Sequence, residues 1–509
     1  MKRSLEKGEM VLKKVSQRAL MWFKSDLRVT DNPALRNASL YGEVIALYII
    51  SPQEWKSHDV APIKVDFILR NLKKLRESLN ELNIPLVVKQ INHVKETPNL
   101  ILNHCKEWNI NAVFINKEYE VDESKRDLKV QKTLEENGFL FDITHDQCVV
   151  PPGRVLTKDG KPYSVFTPFK KAWIKILLAE NSLIQVIPLP EPNIDQSLII
   201  HQEKNEIPEK VEGFDISKKY DADYVRGLWA AGKEAAHKKL EQFSKFKILD
   251  YKKNRDAPAL DGTSVISPFL AIGALGIREC LNEALIANKG LLDSGNEGAV
   301  TWISELCWRE FYRHVLFHYP RVCMYQPFKL ETKNIKWRDD PEGFEKWCKG
   351  ETGYPIVDAG MRQLNKTGWM HNRSRMIAAM FLTKDLLIDW RKGEKYFMEN
   401  LIDGDFASNN GGWQWSASTG TDSQPYFRVF NPLLQSQKND PDGVFIKKWV
   451  PELKGLNKKQ IHCPKDCLGA SEFKKLNYPL PLVDHDMARK RAIDAFKNLK
   501  TDEEPKSAY

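Results

Sequence analysis

Between Ala19 and about Gln147, short apolar runs alternate with amphipathic helical patterns, and no other feature restricts the fold as strongly. The runs Ala19–Phe23, Val44–Ile50, Pro85–Ile91, Ala112–Asn116 and Phe139–Ile143 are β-branched or aromatic. Between them lie Ile63–Leu82 and Glu123–Glu136, whose apolar residues recur at helical spacing. This alternation predicts a parallel, doubly wound α/β domain over residues 19–150, with helices on both faces of its sheet. No glycine fingerprint follows the first strand, so ordinary dinucleotide binding is not supported. From Asp221 helical patterns dominate, which points to an all-α domain over residues 221–480. Residues 151–220 are assigned to a connector. Within it Val186–Ser217 is Pro-rich (IPLPEP), charged and aperiodic, and is expected to be partly disordered. The chain turns lysine-rich after Leu453, and Asp484–Lys500 has the pattern of one short terminal helix.

Composition sets several functions aside. No apolar run approaches the ~20 residues of a membrane span, so no membrane role is expected. Met1–Arg18 is a basic leader without the apolar core of a secretory signal. Eight dispersed cysteines suit reduced thiols in a cytosol-like compartment. His462, Cys463 and Cys467 lie close together but lack a fourth ligand, which argues against structural zinc. A net charge of +9 favours polyanionic partners without identifying one.

The chemistry concentrates in a few stretches. Asp403-Gly-Asp-Phe-Ala-Ser-Asn-Asn-Gly-Gly-Trp-Gln-Trp415 packs carboxylates, amides, a glycine pair and two indoles together. Carboxylates and amides hydrogen-bond heteroaromatic edges, paired glycines admit a flat ligand, and indoles stack or pass electrons. It is no calcium loop, because Ala407 and Ser408 stand where that loop needs a ligand and a glycine. On a helix, Trp302, Glu305 and Arg309 share one face, which predicts a Glu305–Arg309 pair in aromatic surroundings. Burying that carboxylate is costly unless a partner or ligand compensates. In Trp369-Met-His-Asn-Arg-Ser-Arg-Met376, Asn372 and Met376 stand one turn apart, with Arg373 and Arg375 beside them. An amide, a thioether and two guanidiniums suit a base beside a phosphate, and amphipathic packing explains the same pattern less specifically. Tyr251 and Arg255 precede Thr263-Ser264-Val-Ile-Ser267, whose hydroxyls at a helix start can cradle a diphosphate or simply cap. Trp337, Trp390 and Trp413 share no period and read as core.

Together these residues resemble the cryptochrome/photolyase family, in its class I cyclobutane pyrimidine dimer photolyase branch. The resemblance runs from Met21-Trp-Phe-Lys-Ser-Asp-Leu-Arg-Val-Thr-Asp-Asn to Phe445-Ile-Lys-Lys-Trp-Val-Pro-Glu-Leu453. Its most specific segments are Thr352-Gly-Tyr-Pro-Ile-Val-Asp-Ala, Trp369-Met-His-Asn-Arg and Asp403 to Gln424. It implies an α/β antenna domain and an all-α domain that holds FAD in a U shape. By that resemblance Tyr251, Thr263, Ser264, Val265, Ile266 and Ser267 contact the FAD phosphates. Glu305, Arg309, Asn372, Arg375, Asp403, Gly404, Asp405 and Asn409 surround the rest of the cofactor, Asn409 beside the flavin N5. Glu305, Trp308, Asn372, Met376 and Trp415 match the lesion pocket, with Arg255 and Arg373 on flanking phosphates. Glu305, Asn372, Met376 and Asn409 carry the catalytic roles. Trp337, Trp390 and Trp413 match the relay that photoreduces the flavin.

The implied reaction is light-driven electron transfer from reduced FAD to a flipped-out dimer in UV-damaged DNA, which then splits into two pyrimidines. A monomer in the cytoplasm, or the nucleus of a eukaryote, is expected. Glu305 can donate to a thymine carbonyl only when protonated, so its pKa is expected to be raised. The antenna positions depart from the family pattern. Asp122-Glu123 stands where folate-binding members carry Asn-Glu, and Met324 replaces a lysine. These departures argue against 5,10-methenyltetrahydrofolate as the antenna and leave 8-hydroxy-5-deazaflavin or an empty pocket as the alternatives. The rival readings are a cryptochrome-type photoreceptor, alone or with dual function, a six-four photolyase, and a flavin-free DNA binder. The chain after Tyr478 is short and lysine-rich, unlike a long signalling extension. The six-four branch uses a histidine pair where this chain has Met370-His371 and Met376.

Overall fold

The computed structural model describes residues 17–203, 205–497 and 499; most of the basic leader lies outside them. Five strands, β1 (Arg18–Phe23), β2 (Glu43–Ile50), β3 (Leu86–Gln90), β4 (Ala112–Asn116) and β5 (Leu140–Thr144), form one sheet in the order β3-β2-β1-β4-β5. Every pairing is parallel. β1, β2 and β4 are buried on both faces, which is why their sequences read as continuous apolar runs. Helices Pro62–Asn80 and Val121–Glu135 fall within a few residues of the predicted spans. The strand order reverses between β1 and β4, and a crevice opens there beyond the strand carboxyl ends. A cavity of about 490 Å³ fills that crevice, lined by Trp22, Lys24, Tyr48 and Glu118 and closed from the helical side by Asp405 and Phe406.

From Phe166 on, every regular element among the described residues is helical, ending in His485–Lys497. Two buried contacts fix the helical half against the sheet. Arg278 donates to Asp31 Oδ1 at 2.6 Å and to Asp146 Oδ1 at 2.8 Å, and Arg28 pairs with Asp146 too. Such a buried, paired cluster fixes geometry more than it adds stability. Gly273, at φ +69, lets the two halves touch: a Cβ there would lie 2.2 Å from Ser25 O.

The expected disorder of the connector is corrected by the structure. Asn193 is buried and bonds both the N–H and the C=O of Val44, Leu198 packs under the sheet, and Ile207, Val211, Phe214 and Ile216 join the main core. Composition misses this because the anchors are single residues spaced without a period. Further upstream, Glu310 accepts hydrogen bonds from Val149 N, Val150 N and Trp173 Nε1, tying the start of the connector to helix Glu297–His318.

Candidate active site

Helix Glu297–His318, capped by Asn296 on Ala299 N at 3.0 Å, carries Glu305, Trp308, Arg309 and Arg313. The expected Glu305–Arg309 pair does not form. Arg309 turns to the domain seam and donates to Gln147 O at 2.6 Å and Leu270 O at 3.5 Å. Glu305 pairs instead with Arg255, fifty residues earlier. Its surroundings are aromatic as expected, and burial raises its carboxyl pKa against the opposing pull of Arg255. Arg373, on helix Asn372–Met380, holds Asp256 at 2.7 Å, so both arginines assigned to phosphates rest on carboxylates here. Asn372 is exposed and its amide lies 3.8 Å from Met376 Sδ.

Asp403 is the hub of a second cluster. Its Oδ2 accepts from Ser267 Oγ at 2.6 Å and Arg375 at 2.7 Å, while its buried Oδ1 has no partner. Trp369 Nε1 reaches Ser267 Oγ at 3.3 Å. Ser267 opens a short helix, and Val265 just before it sits at φ +50, an uncommon place for a β-branched residue and a mark of a functional constraint. Thr263 and Ser264 are half-buried on the same segment, Ile266 is buried, and Tyr251 packs on Phe243 at 5.6 Å. Asp405 caps the helix Phe406–Ala417 through Ser408 N and pairs with Arg313 at 2.6 Å. Burial pushes its carboxyl up, but Arg313 and Arg309 outweigh that and hold it at about 2. Arg309 makes no ion pair within 4 Å among the described residues, and burial lowers its pKa to about 10. An unpartnered buried carboxylate oxygen and a half-buried guanidinium without an ion pair fit FAD, which offers hydrogen-bond donors on its ring and ribityl chain and two phosphates. Asn409 donates to Glu394 O at 2.9 Å, leaving its carbonyl oxygen as an acceptor.

One member of the glycine pair has a different use from the one expected. A Cβ on Gly411 would lie 2.3 Å from Tyr312, so this glycine seats a protein ring and not a flat ligand; Gly412 faces open space. Tyr312 in turn touches Trp308, at 5.6 Å between centroids. Trp308 and Trp415 are both half-buried, whereas Trp390 and Trp413 are sealed in the second core. Trp413 packs over Gly393, where a Cβ would meet it at 2.1 Å. Trp337 lies half-buried at the edge of that core, against Phe496 at 6.4 Å.

Several residues at the site give no sequence signal. Lys64, from the α/β domain, donates to Gly404 O at 2.6 Å, and burial lowers its pKa. Trp347 is wholly buried 6.0 Å from Trp413. Lys384 is also buried and caps the end of helix Phe406–Ala417 on Ala417 O at 3.2 Å and Ser418 Oγ at 2.9 Å; burial lowers it to about 7. Phe166 stacks on Trp308. At the cavity mouth His58 meets Glu123 at 3.1 Å and Asp122 at 3.6 Å, near half-exposed Met324. His462 turns inward to Ser436 Oγ at 2.6 Å, away from Cys463 and Cys467, so those three do not converge on a metal.

Two family models match: DNA photolyase over residues 19–193 and the FAD binding domain of DNA photolyase over residues 302–498. A deoxyribodipyrimidine photo-lyase of Neurospora crassa is 46% identical over 95% of this chain and 82% of that protein. Those of Vibrio cholerae and Escherichia coli are 43% and 41% identical over 94% of this chain and 99% and 98% of theirs. Among solved structures, a bacterial class III photolyase from Agrobacterium tumefaciens superimposes with a TM-score of 0.80 at 34% identity, covering 97% of this chain and 99% of that one. A Synechocystis cryptochrome gives 0.82 at 29% identity, covering 95% and 100%. With two family models and near-complete relatives in agreement with the fold, the chain belongs to the DNA photolyase family.

Proposed function

We propose that this chain is a light-driven DNA repair enzyme, a deoxyribodipyrimidine photo-lyase that splits cyclobutane pyrimidine dimers with FAD. Reduced FAD supplies the photoexcited electron for that cleavage. The observation that carries the reading is the unpartnered buried Oδ1 of Asp403, inside a cradle of Ser267, Arg375 and Trp369 and on the same domain as the half-buried indoles Trp308 and Trp415.

Tyr251, Thr263, Ser264, Val265, Ile266, Ser267, Arg309, Arg375, Asp403, Gly404 and Asp405 hold the cofactor, and Asn409 offers its carbonyl oxygen to a ring N–H. The arginine pairs act as exchangeable partners. When Arg255 leaves Glu305 for a DNA phosphate, the charge that opposes the effect of burial departs with it. Burial then favours the protonated carboxyl, which donates to a carbonyl of the flipped pyrimidine. Arg373 makes the same exchange from Asp256. Trp308 and Trp415 supply aromatic faces, while Asn372 and Met376 line the pocket beside them. The sealed indoles Trp390 and Trp413, with Trp337 nearer the surface, form an electron path that water cannot reach from within. The antenna chromophore belongs in the interdomain cavity beside His58, Asp122 and Glu123. A monomer is the state this reading expects. Eight free cysteines suit a reducing compartment, the cytoplasm or a nucleus.

The test mixes reduced protein with DNA carrying cyclobutane dimers, under blue light and in darkness. Repair is expected in light alone. Repair in both conditions, or in neither, overturns the reading.

A further inference from the structure

Phe166 lies in the connector, where sequence patterning gives it no role, yet its ring stacks on Trp308 at 3.7 Å and 9°. Trp308 is further hemmed by Phe311 and Tyr312, each 5.6 Å away. With one indole face covered by Phe166 and its edges fixed, the other face is left to meet a base. The chain behind Phe166 is bound, in turn, to the loop that follows Trp415. Phe166 N donates to Asp422 Oδ2 at 3.1 Å, and Thr421 Oγ1 donates to Ser164 O at 2.6 Å. Two residues on, Gln424 N returns to Trp415 O at 3.3 Å. Asp422 itself sits at φ +43, a left-handed conformation that aspartate adopts more readily than most residues. An unbroken series of short contacts therefore runs from the back of Trp308 to the backbone of Trp415.

We propose that Phe166 and Asp422 form a clasp that sets the separation of Trp308 and Trp415, and so act as positioning residues for capture of the pyrimidine dimer. The inference rests on the proposed function, in which the dimer enters between these two indoles. Neither clasp residue touches the dimer. Phe166 holds one wall from behind, and Asp422 ties that wall to the loop of the other. Rigid walls at a fixed spacing admit a fused pyrimidine pair and hold it without ordering the pocket at each binding event. Loss of the clasp should weaken capture while the splitting step, once the dimer is seated, is retained.

The experiment uses flavin-loaded protein and measures dark binding to dimer-containing and undamaged DNA, then KM and kcat under light, with thermal midpoint and flavin content as controls. Phe166→Ala should weaken dimer binding and raise KM by roughly tenfold, with kcat and binding to undamaged DNA held within about twofold. Phe166→Tyr, which keeps the stacked ring, should restore wild-type affinity. Asp422→Ala, which removes the tie and adds some backbone strain at that positive φ, should fall between the two. Unchanged dimer affinity in Phe166→Ala, or equal losses on both DNAs, would overturn the clasp. If Phe166→Ala fails to fold, Asp422→Ala decides the matter, and wild-type dimer affinity in that variant would overturn the clasp as well. Wild-type protein that shows no preference for dimer-containing DNA would refute the functional reading itself, which separates the two failures.

Discussion

Trp413 and Trp415 stand two residues apart on one helix, about 200° around its axis, and meet opposite surroundings. Trp415 is half-buried, and in the proposed site it belongs with polar groups that are paired with one another: Arg255 with Glu305, Arg373 with Asp256, Arg375 with Asp403. Trp413 is sealed among Trp347, Phe397 and Gly393, and even its indole N–H has no partner. The first environment exchanges partners, since each ion pair can be traded for a ligand of matching charge. The second cannot exchange anything, because it excludes both water and solutes. On the proposed function, one helix thus separates a region that recognises from a region that conducts.

That contrast is broken most severely at Asp403, whose carboxylate is buried where it meets half-buried Arg375. Asp403→Asn takes the buried carboxylate from half-buried Arg375 and from the cofactor cradle, at a cost of about 3 kcal/mol or roughly 100-fold in flavin retention. Flavin content after gel filtration reads this directly. Full retention would show that Asp403 is structural only. A smaller effect is expected at Asp405, whose carboxyl is held at about 2, below its ordinary 3.8. A depressed carboxyl stabilises the fold above its unfolded pKa and loses that contribution as pH falls toward the folded value. Asp405→Asn should therefore cost about 2 kcal/mol at pH 7 and almost nothing near pH 2, measured as the difference in denaturant midpoints.

Glu305 has the opposite sign, and the smallest effect. Its raised carboxyl keeps a proton to higher pH than an exposed glutamate, so dimer binding should weaken as pH rises through that value. Glu305→Gln, a permanent donor, should bind within about threefold of wild type and lose this pH dependence, whereas Glu305→Ala should bind roughly tenfold more weakly. Identical pH profiles in wild type and Glu305→Gln would assign the titration elsewhere.

The two regions are not equally legible in the sequence. The strands are, because a parallel sheet buries both faces and so selects β-branched runs such as Val44–Ile50. The polar cluster at Asp403–Asn409 is visible for the same kind of reason: such residues have no place in a core without a ligand. Partner choice is not visible. Helical spacing suggests Arg309 for Glu305, but the observed partner, Arg255, comes from a distant turn that periodicity cannot reveal. Gly411 reads as a ligand contact and instead admits Tyr312, since a glycine records only that something lies close. The conducting region is the least legible from patterning. Trp347, Trp390 and Trp413 look like any buried aromatic residues, and resemblance alone gives two of them a role. The buried Lys384 has no signal at all.

One measurement tests the division between recognition and conduction most directly: a Trp413→Phe protein, loaded with FAD and split into two portions. In the oxidised portion, photoreduction by an external donor should fall by at least roughly tenfold. In the portion reduced chemically beforehand, dimer repair under blue light should stay within about twofold of wild type. Loss of both activities together, or of neither, would contradict the account.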